Sequence, residues 1–142
     1  MKHSGMTLIV RSVARLVTGF ICVFGVYTAV TGHVGPGGGF SGGVILAIGG
    51  LLLVLAFGRH GSLSLFTEGR CRVAGAVGAL GFVLVALSGY AQGGFFVNGL
   101  PHEWETGGTI LLSDLAVLLN VAAGLFGAFL ALSAFRRRPR EV

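Results

Sequence analysis

Of the five acidic residues in this chain of 142, Asp114 is set apart by its surroundings. It lies inside the apolar run Ile110-Leu111-Leu112-Ser113-Asp114-Leu115-Ala116-Val117-Leu118. A carboxylate in hydrocarbon is costly enough to mark a place where ions or protons are handled. Its companions at helical spacing, Ile110, Leu111, Val117, Leu118 and Val121, are all apolar. Its partner must therefore come from another helix or another subunit. Thr109, Ser113 and Asn120 fall on the adjoining face and can extend a polar path. The competing role is structural, a protonated or hydrogen-bonded Asp that holds helices together.

The second chemical feature is the segment Gly32-His33-Val34-Gly35-Pro36-Gly37-Gly38-Gly39-Phe40-Ser41-Gly42-Gly43. Pro36 fixes its own φ and biases Gly35 away from helix, and the glycines that follow can adopt positive φ. The segment reads as a tight turn that dips to membrane depth, where irregular backbone is tolerated only when other protein buries it. A histidine in such a turn can take up or release a proton near neutral pH and gate an ion path. The plainer role for His33 is to hydrogen-bond backbone carbonyls of the turn. Phe40 is suited to cover the loop or to pack against a neighbouring subunit. The Gly-Lys-Ser/Thr ending of a phosphate-binding loop is absent, which argues against nucleotide binding.

The elements that position these residues follow from hydropathy. Apolar residues make up 54% of the chain and charged ones 11%, with a mean hydropathy of +0.88, far from the balance of about 25% charged in soluble domains. The fold class is all-α, a single membrane domain over residues 1–142, with four transmembrane helices at about 8–31, 40–58, 72–91 and 107–135, each near the roughly 20 residues a span needs. The first 31 residues resemble a signal peptide but lack an Ala-x-Ala-like cleavage site, so this stretch is expected to remain as the first helix.

All ten basic residues, Lys2, Arg11, Arg15, Arg59, Arg70, Arg72, Arg136, Arg137, Arg138 and Arg140, fall on one side of that layout. Basic residues accumulate in cytoplasmic loops, so both termini are expected in the cytoplasm and the glycine-rich loop outside. The net charge of +5 is a topology signal rather than a nucleic-acid footprint. In the second outer loop, Trp104 reads as an interface anchor beside His102, Glu103 and Glu105, whose charges are read as solvated. Cys22 and Cys71 form no CxxC pair, so neither a metal site nor a disulfide framework is expected, and no cofactor.

The 26 glycines belong to faces that let helices approach closely in lipid. Thr18, Cys22, Gly25, Ala29 and Gly32 make one such face. Gly43–Ala47–Gly50, Ala74–Gly78–Gly81 and Thr109–Ser113–Ala116–Asn120–Gly124–Gly127 make the others. They serve a close-packed bundle, docking onto other subunits, or both.

At Gly32, His33, Pro36, Gly37, Gly38, Gly39, Phe40, Gly42 and Gly43 the sequence resembles the MnhB/MrpB family, small membrane subunits of the Mrp (Mnh) multisubunit sodium/proton antiporters. That family carries a loop reading Gly-His-x-x-Pro-Gly-Gly-Gly-Phe-x-Gly-Gly between its first two helices. The resemblance extends to the four-span layout and to an Asp in the last span. The family often has Gly two residues after that Asp, where this chain has Ala116, and commonly an apolar residue where this chain has Asn120. The resemblance implies a non-enzymatic transport subunit in the inner membrane of a bacterium or archaeon. Its partners would be large subunits related to the proton-pumping subunits of respiratory complex I, and its cargo Na+ or another monovalent cation and H+. Related modules occur in membrane-bound hydrogenases, which gives a redox-driven complex as the alternative. A pure scaffold is the third reading. A small four-helix drug exporter is disfavoured, because Leu16–Val30 has no acidic residue.

Overall fold

The structure, a computed structural model, describes residues 7–62, 68–97 and 107–135. These fold into four helices: α1 (Leu8–Val30), α2 (Gly39–Ser62), α3 (Glu68–Ser88) and α4 (Thr109–Phe135). All four are long and apolar enough to cross a membrane. Helix is the outcome lipid requires, because only internal hydrogen bonds satisfy the backbone there. Lys2, Arg136, Arg137, Arg138, Arg140 and the segment His102–Glu105 lie outside the described residues.

The helices form a curved row rather than a symmetric bundle. α1 packs on α2, α2 on α4, and α4 on α3, with a lesser contact between α1 and α4. Among the described residues the backbones of α2 and α3, consecutive in sequence, make no close approach. The last helix is therefore wedged between the second and the third.

Small residues make these contacts. α2 presents two faces at once. Gly42 and Gly49 lie against α1, near Gly25, Ala29 and Ile21. Gly43 and Gly50 lie against α4, near Val121 and Phe126. On α3, Gly78 meets the backbone of Ala116 and Asn120. A compact core of Ala47, Val54, Cys71, Phe126 and Leu130, with Phe129 beside it, joins α2, α3 and α4.

Most apolar surface stays outside. A third or less of the most apolar stretch of each span is buried within the chain, and residues as large as Phe20 and Phe24 are exposed. In lipid this is neutral, since the tails are as apolar as the side chains.

Beyond α3 a short 3-10 turn (Gly89–Gln92) bends the chain back. Gly93 takes φ 97° and Phe96 φ 63°, and the Phe96 N–H donates to the Ala86 carbonyl at 3.2 Å. The hook stacks Phe96 on Phe82 at 5.5 Å between ring centroids and Phe95 on Tyr90 at 5.9 Å.

A candidate ion-handling site where the glycine loop meets α4

The glycine motif divides into two parts. Residues 31–38 form the turn, and Gly39 is already the first residue of α2. The sequence starts the second span at Phe40 and counts Gly42 and Gly43 in the glycine motif as well; the helix begins one residue earlier, and Gly42 and Gly43 serve as the helix faces described above. A glycine pair early in a helix is tolerated here because the gain is close packing rather than propensity.

The turn is tied back onto α1. The Gly38 N–H donates to the Thr28 carbonyl at 3.1 Å, and the Val34 and Gly35 N–H groups donate to the Thr31 carbonyl. Carbonyls left open by the end of α1 are thereby satisfied. Gly38 has φ 135°, a conformation that side-chain-bearing residues resist. A Cβ on Gly37 would stand 2.6 Å from the Thr28 carbonyl oxygen, so the turn lies directly on the helix end.

α2 then begins without a capping side chain of its own, since Gly37, Gly38 and Gly39 carry none. Asp114 supplies one from α4. Its Oδ1 accepts a hydrogen bond from the Gly39 N–H at 3.2 Å, and its Oδ2 faces Gly32, where a Cβ would lie at 2.9 Å. A carboxylate here meets both an unpaired amide and the positive end of the α2 dipole. The partner of Asp114 comes from another helix, and it is a backbone amide rather than a side chain. Gly39 packs so tightly on α4 that a Cβ there would collide with the Asp114 carbonyl oxygen.

Asp114 is half-buried. It stands five residues beyond Thr109, the first of α4, or roughly 7.5 Å along the helix. The glycine turn, level with it, therefore reaches below the start of α4. The reciprocal contact comes from His33, whose ring borders Gly107 at the entry to α4, with a Cβ there only 2.9 Å from the ring. Gly107 and Gly108 both take positive φ, at 64° and 54°. The α1–α2 loop thus grips the start of α4 while α4 caps the start of α2.

The other candidates separate. Thr109 and Ser113 are buried, and the Ser113 hydroxyl donates to the Thr109 carbonyl at 2.9 Å within its own helix. The Asn120 side chain is exposed, at the level where Gly78 meets α4. Phe40 is 66% exposed and does not cover the loop within this chain. Sequence reasoning missed the seat of His33 on Gly107, for which the Gly-Gly pair ahead of Thr109 was the available turn signal. Among the described residues no cluster of His, Cys, Asp or Glu is arranged to hold a metal ion.

Comparison with known proteins agrees with this architecture. Residues 9–127 match the model of a domain related to the MnhB subunit of Na+/H+ antiporter. A Na(+)/H(+) antiporter subunit of Bacillus subtilis is 35% identical over 119 residues, covering 84% of this chain and 78% of that one. An uncharacterised protein of Methanocaldococcus jannaschii is 35% identical over 138 residues. That alignment takes in 89% of this chain but 52% of the relative, so the chain spans about half its length. Among solved structures, a chain of the membrane-bound sulfane sulfur reductase, an archaeal respiratory membrane complex, superposes with a TM-score of 0.74 at 27% identity. The match covers 91% of this chain and 59% of that one. This chain belongs to the family of domains related to the MnhB subunit of Na+/H+ antiporters.

Proposed function

We propose that this chain is a non-enzymatic small subunit of a multisubunit complex that exchanges sodium or another monovalent cation for protons across the inner membrane of a bacterium or archaeon. Large complex-I-like antiporter subunits are its partners, and its termini lie in the cytoplasm. The observation that carries the reading is the hydrogen bond from Gly39 to Asp114. It gives the carboxylate in α4 a second duty, capping the helix that follows the glycine turn. Any proton or cation that takes up the charge of Asp114 competes with that cap and so reaches the loop, which is where coupling to a neighbouring subunit would begin.

The test is a pair of substitutions. Asp114→Asn keeps an oxygen for the Gly39 amide but cannot ionise. The complex should remain assembled while exchange falls at least tenfold or its pH profile flattens. Asp114→Leu removes the cap as well and should lower the amount of complex. Normal exchange with a normal pH profile in the assembled Asp114→Asn complex would reduce Asp114 to helix glue and leave a scaffold role. The topology is checked in a chain whose Cys22 and Cys71 are replaced by serine. Val34→Cys should label only from outside sealed cells and Arg72→Cys only from within.

The likeness to a chain of a respiratory membrane complex favours a second reading, in which the same module serves a redox-driven complex. Subunits co-purified in mild detergent discriminate the two, because a partner bearing redox metal clusters selects the second.

A further inference from the structure

Asn120 enters the packing of this chain through its backbone, which meets Gly78 of α3. Its side chain is exposed, and the carboxamide makes no hydrogen bond to another described residue. Other polar side chains in the spans are satisfied within their own helix. The Ser113, Ser133, Thr28 and Ser88 hydroxyls each donate to a carbonyl three or four residues back, at 2.7–2.9 Å. A carboxamide asks for more, with two N–H donors and a carbonyl oxygen.

Depth makes this exposure costly. The membrane-spanning part of α4 runs from Thr109 to Ser133, with Asn120 eleven residues after the first and thirteen before the last. At about 1.5 Å per residue those distances are roughly 17 Å and 20 Å. Asn120 thus stands near the middle of a hydrocarbon core roughly 30 Å thick, with headgroups and interfacial water about 15 Å away on either side. The side chain is too short to reach them as Lys or Arg would. Acyl chains carry neither donor nor acceptor, so lipid does not satisfy this amide. A transmembrane helix of another protein does, if it brings a polar side chain to the same depth, and such interhelical hydrogen bonds join helices in lipid.

We propose that the exposed face of α4 at Asn120 is a docking site for a transmembrane helix of another subunit, whose polar side chain near the bilayer midplane hydrogen-bonds the Asn120 carboxamide. The inference rests on the reading of this chain as a subunit of an ion-exchanging complex. Its large subunits are where polar residues at that depth belong, because such residues mark ion pathways. The site does not depend on Asp114, whose carboxylate faces Gly39 of α2.

The test uses the complex purified in mild detergent through a tag on this chain. Asn120→Leu suits both helix and lipid, so the amount of this chain in the membrane should be unchanged while the large subunit recovered with it falls about fivefold. Asn120→Gln keeps the carboxamide and should restore most of that loss. A benzophenone side chain replacing Asn120 should, on illumination of the complex that still assembles, attach to the large subunit. Undiminished recovery of the large subunit with Asn120→Leu overturns the proposal, and lowered exchange in that complete complex assigns Asn120 to the ion path instead. Cross-linking to lipid alone, or to a second copy of this chain, overturns it as well. If exchange is normal in Asp114→Asn while the docking results hold, the reading of Asp114 fails and the docking site stands.

Discussion

α4 makes two close crossings, one with α2 at Gly39 and one with α3 at Gly78, and they use the same device to different ends. In each, a glycine lets backbone meet backbone, Gly39 against Asp114 and Gly78 against Ala116 and Asn120. Only the first adds a carboxylate aimed at a helix N-terminus. At the second, the polar residue Asn120 turns its side chain outward. Close helix contact in this chain therefore needs glycine and does not need Asp114. The difference isolates the carboxylate as an addition to a contact that packing alone can make.

The comparison can be broken most forcefully at Gly39. In Gly39→Ala the new Cβ collides with the Asp114 carbonyl oxygen, which cannot swing aside as a side-chain tip can. The expected cost is about 3 kcal/mol or more, read as loss of the chain from the purified complex. Gly78→Ala places a Cβ 2.8 Å from the Ala116 carbonyl oxygen and should cost about 1–3 kcal/mol. Its effect should be a lower thermal midpoint of the complex with the ratio of exchange to assembled complex unchanged. If Gly78→Ala instead abolished exchange in a stable complex, the α3 crossing would be functional too and the contrast would collapse. The control is Gly124→Ala on the same helix, where no atom lies within 4 Å of the added Cβ. It should raise stability by no more than about 1 kcal/mol, read as a slightly higher midpoint, because alanine is the better helix former.

The sequence was informative where the physics is local. Apolar runs set the four spans, and the small residues Gly25, Ala29, Gly43, Ala47 and Gly50 lie on the contact faces their spacing implied. It was silent on which face meets which. All four helices carry small stripes, so nothing in their periodicity says that α4 rather than α3 lies against α2. The glycine motif misled for a related reason. Its residues are permissive of both turn and tight helix packing, so the motif alone does not say whether Gly39 closes the turn or opens α2. Asp114 was legible as a carboxylate needing an outside partner. That the partner is a main-chain amide was not, because an N–H carries no sequence signature. The hook at Phe96 was hidden too, since positive φ is rarely taken by phenylalanine.

The place of α4 in the row has a consequence for how the chain is made. Synthesis delivers α1 and α2 first, and they can pair as soon as both are in the bilayer. α3 emerges next but has no close backbone seam with α2, because the close approaches it makes among the described residues are to α4 and its own trailing turn. The third helix must wait in lipid, and the glycine turn must wait uncapped, until the ribosome has finished the fourth. Arrival of α4 is thus the step that closes the fold. A chain stopped short of Thr109 would leave a paired hairpin and a third helix without the neighbour it packs on.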